Sequence, residues 1–221
     1  ENAVGIMLGG GWYNAQKKFW HWQAPWYGSP RALVQLEIEY GNGIVERVVS
    51  DASWQGDWSP IGMSCIYDGE DYDARKELPG WKTAGFNDTG WTPAVESVPG
   101  WPVKLIAERL EPIEVLYRLK PEKVTEVKPG IFVVDFGRGI AGVCDLKLRG
   151  GRPGAEVTLT HGQILGDDGT VYKGNLWGAV PVDRITLSDA ETVEPHFPGI
   201  YHGFRFVQIE GLESRDDLLE I

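Results

Sequence analysis

The 221-residue chain reads as an all-β protein, and three observations predict it. Apolar and polar residues alternate with period two in several segments, which is the mark of half-buried strands. Glycine (29) and proline (14) are frequent and dispersed, as turns between many short strands require. No window carries the i, i+3, i+4, i+7 apolar stripe of an amphipathic helix, so less than about 15% helix is expected.

In chain order, Val34, Leu36, Ile38 and Tyr40 lie on one face of an extended segment, with Gln35, Glu37 and Glu39 on the other. This predicts a half-buried antiparallel strand. Gly41-Asn42-Gly43 turns it, because Gly and Asn accept positive φ cheaply, and Ile44–Val49 returns as its hairpin partner. Asn87-Asp88-Thr89-Gly90 is a further turn. Ile131-Phe132-Val133-Val134 is a short apolar run. Val143–Arg149 alternates, Gly150–Gly154 turns the chain, and Ala155–Thr160 alternates again. Phe204–Glu210 predicts a last strand.

Composition shifts midway. Nine of the ten tryptophans precede residue 102, and only Trp177 follows. Leu119-Lys120-Pro121-Glu122-Lys123 is polar and carries a proline, which marks it as the linker candidate. Two domains are therefore expected, at residues 1–120 and 121–221, each long enough to bury a core of its own.

Charge excludes some partners. The formal net charge is −11, with −5 in residues 1–120 and −6 in residues 121–221, so the acidity is spread along the chain. No basic stripe exists to neutralise phosphates, which argues against nucleic acid and against an anionic membrane surface. No apolar run approaches the roughly 20 residues of a membrane-spanning helix. A neutral ligand fits this balance best. Cys65 and Cys144 lie far apart in sequence, fit no metal motif, and are expected as two buried free thiols.

Two segments carry candidate chemistry. Asp68, Glu70, Asp71 and Asp73 place four acids within six residues. A glycosidase pair needs carboxylates roughly 5–9.5 Å apart, and alternate strand residues could match that spacing, but a turn or a cation site is the more common use of such a cluster. Calcium would take carboxylate and carbonyl oxygens here, with Asp68, Glu70 and Asp71 as candidate ligands. The competing reading is a solvated turn in which Arg75 pairs with Asp73. The second segment holds Trp12, Tyr13, Phe19, Trp20, Trp22, Trp26 and Tyr27, seven aromatic residues in sixteen positions. Sugars stack their C–H faces on such rings. The alternative is ring packing over one end of a sandwich. The histidines, His21, His161, His196 and His202, are scattered without ligand spacing, and no nucleophile elbow or phosphate loop is present. His202 reads as structural, and no catalytic residue is assigned.

Several words of the sequence resemble bacterial α-L-rhamnosidases of glycoside hydrolase family 78. They are Leu8-Gly9-Gly10-Gly11-Trp12-Tyr13, Ser50-Asp51-Ala52-Ser53-Trp54, Ile66–Arg75 with Gly80-Trp81 and Phe86-Asn87-Asp88, Asp135–Gly142, and Tyr201–Val207. The resemblance covers essentially the whole chain and concerns that family's non-catalytic β-domains. It implies a jelly-roll-like sandwich lacking its first strands, then a second β-sandwich, with the catalytic barrel outside the sequence. It further implies rhamnose-containing carbohydrate as ligand, since the first domain overlaps carbohydrate-binding module family 67, which uses calcium beside the sugar. Trp12, Tyr13, Trp20, Trp22 and Trp26 would stack on the sugar, and Asp68 or Glu70 would take hydroxyls or hold the calcium. The expected role is support of a catalytic domain in the same polypeptide. The alternatives are an independent rhamnose-binding module and a pure scaffold, and the chain alone is expected to be inactive.

Overall fold

The computed structural model describes residues 2–11, 13–14, 28–98, 102, 104 and 106–221. Strands run in the order β1 (Gln35–Glu39), β2 (Val45–Val49), β3 (Gln55–Gly56), β4 (Ile61–Cys65), β5 (Gly69–Asp73), β6 (Thr92–Pro93), β7 (Lys123–Lys128) and β8 (Ile131–Gly142). They continue with β9 (Lys147–Arg149), β10 (Glu156–Gly162), β11 (Val182–Thr186), β12 (Thr192–Val193), β13 (His202–Glu210) and β14 (Leu218–Glu220). The only helical elements among the described residues are two three-residue 3-10 turns, Ala74–Lys76 and Arg215–Asp217. The all-β expectation holds.

A seven-stranded sheet in the order β4-β5-β11-β10-β13-β8-β7 forms the main layer, and a three-stranded sheet, β12-β9-β14, faces it. One apolar core joins them. Val134, Val157, Leu159, Ile185, Val207 and Ile209 from the large sheet pack with Leu148, Val193 and Leu218 from the small one. Each such aliphatic side chain, fully buried, contributes about 1.5–3 kcal/mol. Period two explains the layering: Val157, Leu159 and His161 of β10 point into the sandwich, as do Phe132, Val134 and Phe136 of β8.

Expected strands at Ala155–Thr160 and Phe204–Glu210 form as β10 and β13, while only Lys147–Arg149 of the Val143–Arg149 segment pairs. The hairpin β1–β2 forms in register, Gln35 opposite Val49 and Glu39 opposite Val45. Its apolar face is only partly covered as expected: Val34 and Ile38 are half-buried, while Leu36, Tyr40 and, on the partner strand, Val48 are exposed. Cys65 and Cys144 are buried free thiols.

The linker expectation meets an unexpected topology. Strands β4 and β5, from before residue 120, belong to the same sheet as strands from after it. β5 runs parallel to β11, with Asp71, Tyr72 and Asp73 opposite Arg184, Ile185 and Thr186. Parallel strands need a long crossover, and here the crossover is the whole intervening chain. Gly69 makes the seam possible. It sits at φ +85°, and a Cβ there would lie 2.2 Å from the Val182 carbonyl oxygen. Gly69→Ala should therefore destabilise the protein by roughly 1–3 kcal/mol, from left-handed strain and the clash. Urea unfolding of the variant beside the wild type measures this.

Candidate functional site

Four polar side chains cross the core face of the large sheet on neighbouring strands: Glu70 of β5, Asp183 of β11, His161 of β10 and His202 of β13. Each occupies an inward position of its strand's alternation, and each is buried. Asp183 is the node. Its Oδ1 accepts the Glu70 backbone N–H at 3.0 Å and the His202 Nε2–H at 3.0 Å. The His161 ring stacks on His202, with centroids 4.1 Å apart and planes tilted by 22°. His161 Nδ1 lies 3.3 Å from the Pro181 carbonyl, which can only accept, so Nδ1 carries the proton. Nε2 then faces the Cys144 thiol at 3.7 Å.

Burial dominates the electrostatics. It pushes the Glu70 carboxyl up to about 7, with the neighbouring Asp183 charge adding to the rise and Ser64 opposing it. It pushes His161 down to about 4 and raises the Cys144 thiol far above the ordinary range. Cys144 and His161 are thus not a nucleophile and base. The thiol stays protonated, and Asp183 approaches the same ring nitrogen as Cys144 rather than orienting the other.

As placed, the side chains of the cluster do not converge on one point. Ligand atoms of His161, Asp183 and His202 lie within 4.8 Å of one another. However, two imidazole planes tilted by only 22° at 4.1 Å converge well beyond bonding distance of both nitrogens. The arrangement is a hydrogen-bonded polar row inside an apolar core.

The sequence-predicted acids are dispersed by the strand alternation. Glu70, expected to accept sugar hydroxyls or hold calcium, is 0% exposed and faces the core, because it shares the inward side of β5 with Tyr72. Asp71 faces outward and meets Arg184 at 3.2 Å. Asp68 lies in the β4–β5 turn with its carboxylate 3.7 Å from Cys65 Sγ. Asp68, Glu70 and Asp71 thus point in different directions and do not converge on one point, as ligands of a single calcium would. Asp73 takes a bidentate pair from Arg75, at 2.8 Å to each oxygen, which is the stitched-turn alternative. Of the aromatic candidates, Trp12, Trp20, Trp22 and Trp26 lie outside the described residues. Tyr13 is exposed and lines an open depression with Leu8, Gly9, Pro30 and Arg31.

Two of the sequence words meet in space. Residues 135–142 and 201–207 pair as β8 and β13, with His202 opposite Gly142 and Phe206 opposite Asp135. Arg205 donates two hydrogen bonds to Asp135 at 2.8 and 2.9 Å, and the Gly137 N–H donates to the same carboxylate. A bulge between Phe204 and Phe206 re-aims Arg205 for this clamp. In the word at 50–54, Ser50 Oγ accepts from the Val34 N–H, and Trp54 Nε1–H donates to the Val49 carbonyl. These contacts fasten the three words within the fold.

Sequence reasoning did not find Asp183, or the meeting of His161 with His202. The available signal was phase: His161 continues the inward row of Val157 and Leu159 on β10.

Such features define a class, a β-sandwich region in which Glu70, Asp71, Asp73, Asp135 and Asp183 are buried or paired within the fold. Comparison with known proteins agrees. Residues 1–116 match the α-L-rhamnosidase N-terminal domain, and residues 125–220 match the bacterial α-L-rhamnosidase concanavalin-like domain. The chain belongs to the bacterial α-L-rhamnosidase family, as part of its non-catalytic N-terminal region. An α-L-rhamnosidase of Streptomyces avermitilis is 36% identical over 97% of this chain, which spans 21% of that protein. One from Formosa agariphila is 32% identical over 98% of the chain, which spans 24% of it. The chain thus spans about a fifth to a quarter of the length of these curated relatives. Among solved structures, the α-L-rhamnosidase of Dictyoglumus thermophilum superposes with a TM-score of 0.79 at 33% identity, over 86% of this chain and 22% of that one. That of Aspergillus terreus superposes with a TM-score of 0.78 at 32% identity, over 95% and 24%.

The buried histidine yields a pH prediction. Its folded value of about 4 lies below the unfolded 6.5. The unfolded state therefore binds more protons between these values, and stability falls as pH drops from 6.5 towards 4, by up to about 3 kcal/mol. His161→Gln removes this loss. Urea unfolding at pH 7 and pH 4.5 should show the variant gaining on the wild type at the lower pH by about 1–3 kcal/mol.

Proposed function

We propose that the chain is the portion of an α-L-rhamnosidase-like glycoside hydrolase that supports a catalytic domain carried elsewhere in the same polypeptide, and that its N-terminal half contacts rhamnose-containing carbohydrate. The observation carrying the first part is the double domain match on a chain about a fifth to a quarter the length of its relatives. The state of the described acids supports it, since Asp71 and Asp73 pair with arginines and Glu70 is buried. Support for sugar contact comes from the aromatic segment at 12–27 and from exposed Tyr13 beside it. A Streptomyces avermitilis relative, with a TM-score of 0.75 at 36% identity, was solved in complex with L-rhamnose; the likeness covers 81% of this chain and 17% of that one. A neutral sugar offers little apolar area, so binding rests on ring stacking plus a few hydrogen bonds.

The 221-residue protein should not turn over p-nitrophenyl α-L-rhamnoside. It should bind L-rhamnose weakly, with a Kd from about 10 µM to the millimolar range. Calorimetric titration of the wild type and of Trp20→Ala, Trp22→Ala and Trp26→Ala, with and without chelator, tests both parts. Loss of affinity on removing a ring supports sugar contact, and the chelator arm reports any calcium requirement. Unchanged affinity in every folded variant, or no binding by the wild type, leaves the pure scaffold. Turnover that a point substitution within this chain abolishes would overturn the non-catalytic reading.

A further inference from the structure

The Glu70 carboxylate is an anomaly of the seam between β5 and β11. It is 0% exposed, and among the described residues neither oxygen has a hydrogen-bond partner of normal geometry. The Ser64 hydroxyl and the Gly199 backbone N–H favour its charged form from nearby without a bond of normal geometry. An ionised carboxylate so placed carries a large desolvation cost. Ser64 and Gly199 offset only part of that. From β11 the Asp183 carboxylate opposes a second negative charge, and from β13 His202 helps only when protonated. His161 of β10 and the Cys144 thiol lie beyond Asp183, and Cys65 on the hairpin itself is a buried thiol. Among the described residues, no lysine or arginine acts on Glu70.

The location makes this anomaly consequential. β4 is an edge strand, and the β4–β5 hairpin joins the rest of the sheet through three register pairs to β11. Glu70 itself supplies the N–H that Asp183 accepts across that seam. We propose that Glu70 is a proton-operated latch: as the neutral acid it lets residues 61–73 seat against β11, and its ionisation loosens that seat. The seam connects a stretch of the N-terminal domain match to the concanavalin-like one, so the latch sets how firmly the two are held together.

The direction follows from linkage. The carboxyl titrates at about 7 when seated, against an ordinary value of 4.5. The open form therefore releases its proton first. The seated form has its full advantage below pH 4.5, loses it progressively up to pH 7, and has none above. In that window the opening equilibrium rises by at most about tenfold per pH unit.

Hydrogen–deuterium exchange of the 221-residue protein at pH 5 and pH 7, corrected for intrinsic rates, reads the seam directly. In the wild type, protection over residues 61–73 and 182–186 should fall by at least about tenfold between the two values. Glu70→Gln, a permanent stand-in for the neutral acid, should hold its protection at pH 7. Unchanged wild-type protection, or an equal fall in Glu70→Gln, overturns the latch. Should that variant fail to fold, carboxyl carbon NMR of Glu70 in the wild type decides. A midpoint well above the ordinary glutamate range supports the latch, and one within that range overturns it.

Discussion

The buried Asp183 carboxylate organises the contact on which this architecture depends. It accepts one hydrogen bond from the backbone of β5 and one from the His202 ring of β13, two strands separated in the sheet by β10 and β11. A buried charge is tolerated only when its hydrogen-bonding capacity is met, and here strands from distant parts of the sequence must be in place together to meet it. Removing the carboxylate would strand the Glu70 N–H and the His202 Nε2–H in an apolar layer. A polar row of this kind favours one register over its neighbours, because a one-residue slip of β10 or β11 would turn His161 or Asp183 towards the opposite face.

Around that row, two of the words that resemble the family are tied to each other. The Asp135–Arg205 clamp spans β8 and β13, and its carboxylate also takes the Gly137 N–H. The Arg205 guanidinium lies over the Phe206 ring at 4.8 Å, so its position is fixed from two sides. Gly137, at φ +75°, permits a close approach of Glu122 that a Cβ would block at 2.1 Å. The Asp–Phe–Gly and Phe–Arg–Phe words are thus two halves of one cross-strand device, which accounts for charged residues in otherwise apolar strands.

Packing differs between the two halves of the chain. Core residues come mainly from β7 onward, with Tyr72, Ala74 and the partly buried Ile61 and Leu119 contributed by the earlier half. The hairpin β1–β2 leaves Leu36, Tyr40 and Val48 exposed, although two strands alone bury too little to be stable in water. The chain spans about a fifth of the length of its Streptomyces avermitilis and Dictyoglumus thermophilum relatives.

What the sequence determined by itself was the class and the local elements. Period-two alternation at 34–40, 155–160 and 204–210, with turn residues between, requires strands because each has one apolar face to bury. The ordered words placed the chain in its family, since they encode turns and clamps that are local in sequence or repeated in kind. The use of the acids was decided only in three dimensions. Glu70 and Asp71 are adjacent in sequence and equivalent in chemistry, yet strand alternation sends one into the core and the other to Arg184. The parallel seam that joins residues 71–73 to residues 184–186 left no trace in either segment, because pairing at that separation is fixed by the packing of the whole sheet. His161, Asp183 and His202 likewise carry no ligand or catalytic spacing. Tertiary structure alone brings them together, and burial, which no linear pattern specifies, gives the row its chemistry.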